Sequence, residues 1–143
     1  MNPGEAAFGT RDKGEILLRM FAVLLRKVAH QDDHFSAEEA DAILQALHRL
    51  AAACDLSGKQ SSDQIARVAA DGSRDARMIE HAVAFICSNT DYADLLLVEL
   101  FRVSVSDRKL DDSELGWLAG FAERSNIPAQ RFYFLGSSGI SVA

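Results

Sequence analysis

The fold turns on "GEILLRMFAVLLRKVAHQDDHFSAEEADAILQAL", residues 14–47. Leu17, Leu18, Phe21, Leu24, Leu25 and Val28 recur at helical spacing and make one apolar face. The spacing predicts a helix over 14–31. Ser36-Ala-Glu-Glu39 then has the form S-x-x-E, in which a hydroxyl and a carboxylate cap each other's backbone N–H groups. It opens a second apolar period through Ile43, Leu44, Leu47, Leu50 and Ala51, which Ser57-Gly58 is expected to end near Leu56. Between the two periods lies a short acidic turn, with Asp32 and Asp33 beside His30 and His34.

The rest of the chain repeats this grammar. Ser61-Ser-Asp-Gln64 is a second capping box, opening a short helix to about Ala70. Asp71-Gly72-Ser73 is a turn, and a helix over 74–88 should bury Ile79, Val83 and Ile86. Thr90 is the expected cap of the next helix, 91–106. Its near-continuous apolar band of Leu96, Leu97, Leu100, Phe101 and Val103 marks it as the central, most buried element. Asp111 should cap a sixth helix carrying Leu115, Leu118, Ala119 and Ala122, and Pro128 a final short one, 128–135. The expected architecture is all-α: a single-domain bundle of about seven helices over 14–135. A leader, 1–13, and a glycine-rich tail, 136–143, are expected to be loose.

Composition agrees with this and narrows the function. The 143 residues are 48% hydrophobic with only two prolines, enough for one packed core. A net charge of −6 and a pI near 5.1 argue against nucleic acid, where affinity comes from Lys and Arg neutralising phosphates. Cys54 and Cys87 sit in apolar patterns with no CxxC, and read as buried thiols of a reducing compartment. No apolar stretch approaches the ~18 residues of a membrane span, and no apolar core follows a basic start as in a signal peptide. The expected location is the cytoplasm.

A weak internal repeat points to a site. At a shift of 75, residues 23–39 fall on 98–114. Val23, Leu25 and Val28 meet Val98, Leu100 and Val103; Asp32 meets Asp107, Glu39 meets Glu114, and Arg49 meets Arg124. The apolar matches follow from a shared core face. The two Asp–Glu pairs read as positions outside the core, each spanning a turn with the same seven-residue spacing. A pseudo-two-fold arrangement of the two helix hairpins would gather all four carboxylates at one end of the bundle. Oxygen-only ligands of that kind suit calcium or magnesium.

The two copies, "HQDDHFSAEE" (30–39) and "VSDRKLDDSE" (105–114), resemble the motif of the TerB family, roughly A-x-x-D-G-x-[IL]-x-x-x-E. That family occurs in tellurite-resistance proteins and in the N-terminal domain of DjlA-type co-chaperones. The Asp, the apolar position and the Glu match in both copies; the glycine after Asp is replaced by Asp33 and Arg108. The resemblance spans about 14–135. It implies a bundle of about seven helices and a non-enzymatic binding or scaffold role in stress response or assembly, with a protein partner. It also implies a divalent-cation site at Asp32, Glu39, Asp107 and Glu114.

Plainer readings compete at each position. Glu39 and Glu114 each follow a capping residue by three, so they suit capping boxes as well as metal ligation. Asp32 and Asp107 suit solvated turns. His30 and His34 have the i, i+4 spacing of a zinc pair but lack a nearby third ligand, and read as exposed. No G-x-S-x-G, HExxH or phosphate-cradling loop occurs. The alternative to a binding domain is a metal-dependent hydrolase built on the same carboxylates. Trp117 and Phe121 read as core, and "RFYF" (131–134) as a segment docked on the core rather than an exposed patch.

Overall fold

The computed structural model describes residues 13–29, 37–56, 62–70, 76–104 and 112–137. Seven helices occupy them: α1 (Lys13–Ala29), α2 (Ala37–Ala53), α3 (Ser62–Ala70), α4 (Ala76–Cys87), α5 (Thr90–Ser104), α6 (Asp112–Arg124) and α7 (Ala129–Ser137). The described residues contain no strand. The all-α bundle expected from the periodicity is what forms. The proposed leader, apart from Lys13, lies outside the described residues, as does the tail beyond Ser137.

The repeat is visible in the helix ends. Ala29 and Ser104, which close α1 and α5, stand 75 residues apart, and so do Ala37 and Asp112, which open α2 and α6. The apolar stripes agree: Ile43, Ala46 and Leu47 on α2, and their counterparts Leu118, Phe121 and Ala122 on α6, are all buried.

α5 packs against α1, α2, α4, α6 and α7, so it is central as expected. It is not the most buried element. α1, which packs against α2, α3, α4 and α5, is buried without interruption from Met20 to Arg26. A helix covered on every side loses the polar face from which amphipathic spacing is read. Arg26 is accommodated because its guanidinium donates to the Ala69 carbonyl at the C-terminal end of α3, where free carbonyls carry partial negative charge. Gln64 at the start of α3 donates to Glu15 at the start of α1 (3.0 Å), so the two helices run alongside in the same direction.

Several local expectations need correction. α2 ends at Ala53 rather than near Leu56, because Asp55 adopts a left-handed conformation (φ 58°). The Leu56 and Asp55 N–H groups turn back to the Ala51 and Ala52 carbonyls, a Schellman closure without glycine. Asn126 (φ 61°) closes α6 in the same way. The cap of α5 is Asn89, whose Oδ1 accepts from the Tyr92 N–H (3.2 Å); Thr90 instead donates to the Ser125 carbonyl (3.0 Å). On α4 the buried positions are Ala82, Ile86 and Cys87, with Ile79 and Val83 only half-buried, and Ala119 of α6 is exposed. Pro128 precedes α7 and accepts its first hydrogen bond, from Phe132.

Candidate functional site: the end of the bundle where the two hairpins turn

Two contacts fix how the hairpins lie. Lys27, near the C-terminal end of α1, has its Nζ 5.0 Å from the ring centroid of Trp117, in the first half of α6. Ile16 and Met20, from the first half of α1, share a cavity wall with Tyr92 at the start of α5. α1 and α5 therefore run the same way, and the chain leaves both at the same end of the bundle. The Thr90–Ser125 bond, joining the start of α5 to the end of α6, makes the second hairpin antiparallel.

Glu39 and Glu114 sit at this end, in the first turns of α2 and α6. Both belong to the core-facing side: they are only 5% and 4% exposed. This corrects the reading that placed them outside the core. The reason is spacing. Glu39 lies four residues before buried Ile43, and Glu114 four before buried Leu118, so each carboxylate is the top rung of its helix's apolar stripe. A first-turn carboxylate also meets the positive end of the helix dipole and its free N–H groups. Both glutamates have polar or electrostatic interactions of their own.

Asp32 and Asp107, the other two members of the proposed cation set, lie outside the described residues, as do His30, His34, Ser36 and Asp111. Among the described residues, no group of three or more His, Cys, Asp and Glu side chains is arranged to hold a metal ion. Of the four proposed ligands, Glu39 and Glu114 are therefore the ones whose settings the structure describes.

Trp117 is half-buried rather than core, stacked on buried Phe121 (5.7 Å between centroids, 21° between planes), with the Lys27 ammonium over its ring. The "RFYF" segment divides. Phe132 docks on Phe101 (5.3 Å), and Arg131 forks onto Asp94 through Nε (3.1 Å) and Nη2 (3.2 Å), tying α7 to α5. Tyr133 and Phe134 face outward, 72% and 58% exposed. Both cysteines are free: Cys87 is buried and its thiol faces the Phe121 carbonyl, while burial pushes the half-buried Cys54 thiol up, lowering its thiolate fraction.

An ion cluster that no sequence motif announces joins α2 to α5. Glu99 of α5 is buried and accepts from Arg49 of α2 through Nε (3.1 Å to each oxygen) and Nη2 (2.8 Å), and from Arg102 (3.1 Å). A lone acid inside the run Leu95–Phe101 was the available signal; a buried acid implies a cationic partner.

Compared with protein-family models, with curated proteins and with solved structures, the chain matches none.

Proposed function

We propose that this chain is a TerB-like, non-enzymatic binding or scaffold domain of the cytoplasm, serving tellurite resistance or another stress response. In this reading its acidic end binds a divalent cation, calcium or magnesium, and presents it to a protein partner. The observation that carries the reading is the equivalent burial of Glu39 and Glu114, which open the second helices of two hairpins related by the shift of 75. The common direction of α1 and α5 adds support, because both helices finish at the end of the bundle where Glu39 and Glu114 sit. Carboxylates are the hard oxygen donors that calcium and magnesium prefer, and the two buried glutamates fit such a role. Asp32 and Asp107, which the sequence sets between the two helices of each hairpin, would complete the set.

Calorimetric titration with calcium, magnesium, manganese and zinc tests this, on the wild type and on Asp32→Asn/Asp107→Asn. Saturable calcium or magnesium binding that the double substitution removes is the expected result. Binding that survives it, or no binding in the wild type, refutes the site.

A further inference from the structure

A cavity lies at the opposite end of the bundle. It measures about 390 Å³ and opens between α1, α4 and the start of α5. That volume lies within the ~300–1,000 Å³ of ordinary small-molecule sites, which are mostly apolar with a few polar groups to orient the ligand. Ile16 and Met20 of α1, Phe85 of α4 and Tyr92 of α5 supply apolar wall; Lys13 and His81 are its charged or titratable members. In a chain with 21 acidic and 15 basic residues, the described lining contains no carboxylate. The wall is held in place. The Tyr92 ring meets fully buried Phe21 edge-on (6.3 Å, 90°), and its backbone N–H is capped by Asn89. Phe85, by contrast, leaves 46% of its surface to water at the rim.

We propose that this cavity binds a small amphipathic carboxylate, an aliphatic chain carrying one anionic head. The chain lies against Ile16, Met20 and Tyr92 and covers Phe85. The head pairs with the Lys13 ammonium, which stands at the very start of α1, and takes a hydrogen bond from the His81 imidazole. Charge complementarity favours the anion: a cationic amphiphile would bring like charge to Lys13, and a neutral alcohol would gain no ion pair there. The site is separate from the acidic end, so a failed metal titration leaves it standing and its own failure leaves the acidic end untouched.

The test uses sodium octanoate and sodium decanoate below their micellar concentrations, followed by ¹H–¹⁵N shift changes and calorimetry on the full chain. Decan-1-ol and decyltrimethylammonium are the comparison ligands. Decanoate is expected to saturate at one per chain, with shifts clustered around Met20, His81, Phe85 and Tyr92. The two extra methylenes of decanoate over octanoate should each tighten binding roughly two- to fourfold, as burial of a CH₂ does. Lys13→Glu is expected to weaken decanoate at least tenfold, Phe85→Ser at least threefold, and Tyr133→Ser not at all. Lys13, Phe85 and Tyr133 are exposed, so these variants retain the core, and circular dichroism checks that each is folded. Non-saturating shifts, shifts centred on Tyr133 and Phe134, or equal affinity for decanoate and decyltrimethylammonium would overturn the proposal. So would decanoate binding that Lys13→Glu leaves unchanged.

Discussion

Arg49→Met and Glu99→Leu both remove the Arg49–Glu99 bonds, and Glu99→Leu removes the Arg102 bond as well, yet Arg49→Met should cost more. The Glu99 side chain is 7% exposed, whereas the Arg49 side chain is 45% exposed. Removing Arg49 takes away three charge-assisted contacts of 3.1, 3.1 and 2.8 Å and leaves a buried carboxylate held, among the described residues, by Arg102. Hydrogen bonds to charged groups contribute ~1.5–3 kcal/mol net, and a buried charge that loses its partner is penalised further. Arg49 is half in water, and that screening discounts the pair. We expect a loss of about 2–3 kcal/mol. Removing Glu99 leaves two guanidiniums that can turn to solvent, and puts an apolar side chain in an apolar place, so about 1 kcal/mol or less is expected. The double variant should cost less than the two singles together. Urea unfolding, followed by ellipticity at 222 nm and by Trp117 fluorescence, measures all three, with an unchanged m-value as the check that only stability moved. If Glu99→Leu proves as costly as Arg49→Met, the buried carboxylate is not the group that needs its partner, and the reasoning fails.

Three further outcomes are expected. Phe132→Ala should lose about 2–3 kcal/mol through its contact with Phe101, while Tyr133→Ser next to it stays within about 0.5 kcal/mol; equal losses by thermal melting would contradict the division of that segment. Gly120→Ala should gain about 0.5–1 kcal/mol, since Gly120 lies within α6 with open space where the added methyl would stand; a drop in melting temperature would refute this. In Ellman's assay at neutral pH, Cys54 and Cys87 should both react slowly when folded and fast in guanidinium. Rapid labelling of folded Cys54 would contradict the burial that raises its thiol.

Helix existence and order were legible because seven apolar periods are separated by caps and turns, and those signals are local. α2 stops earlier than Gly58 suggests because Asp55 itself takes the left-handed conformation. Asp and Asn tolerate that region, so the nearest glycine is an unreliable marker. The candidate site was half legible. The spacing singled out Glu39 and Glu114, and the same spacing, continued four residues to Ile43 and Leu118, already placed them on the core stripe. The Arg49–Glu99 pair was not legible, because fifty residues separate its members and which faces of α2 and α5 meet is a property of the packing.

The uninterrupted burial of α1 has a consequence for synthesis. Its enclosing neighbours are all encoded later: α5 begins 61 residues after α1 ends. At ~5–20 residues per second, a ribosome takes on the order of 3–12 s to reach it. Throughout that interval Met20 to Leu25 has no finished cavity to enter. The nascent chain thus holds an apolar helix for seconds before the helices that cover it exist, an interval in which self-association competes with folding.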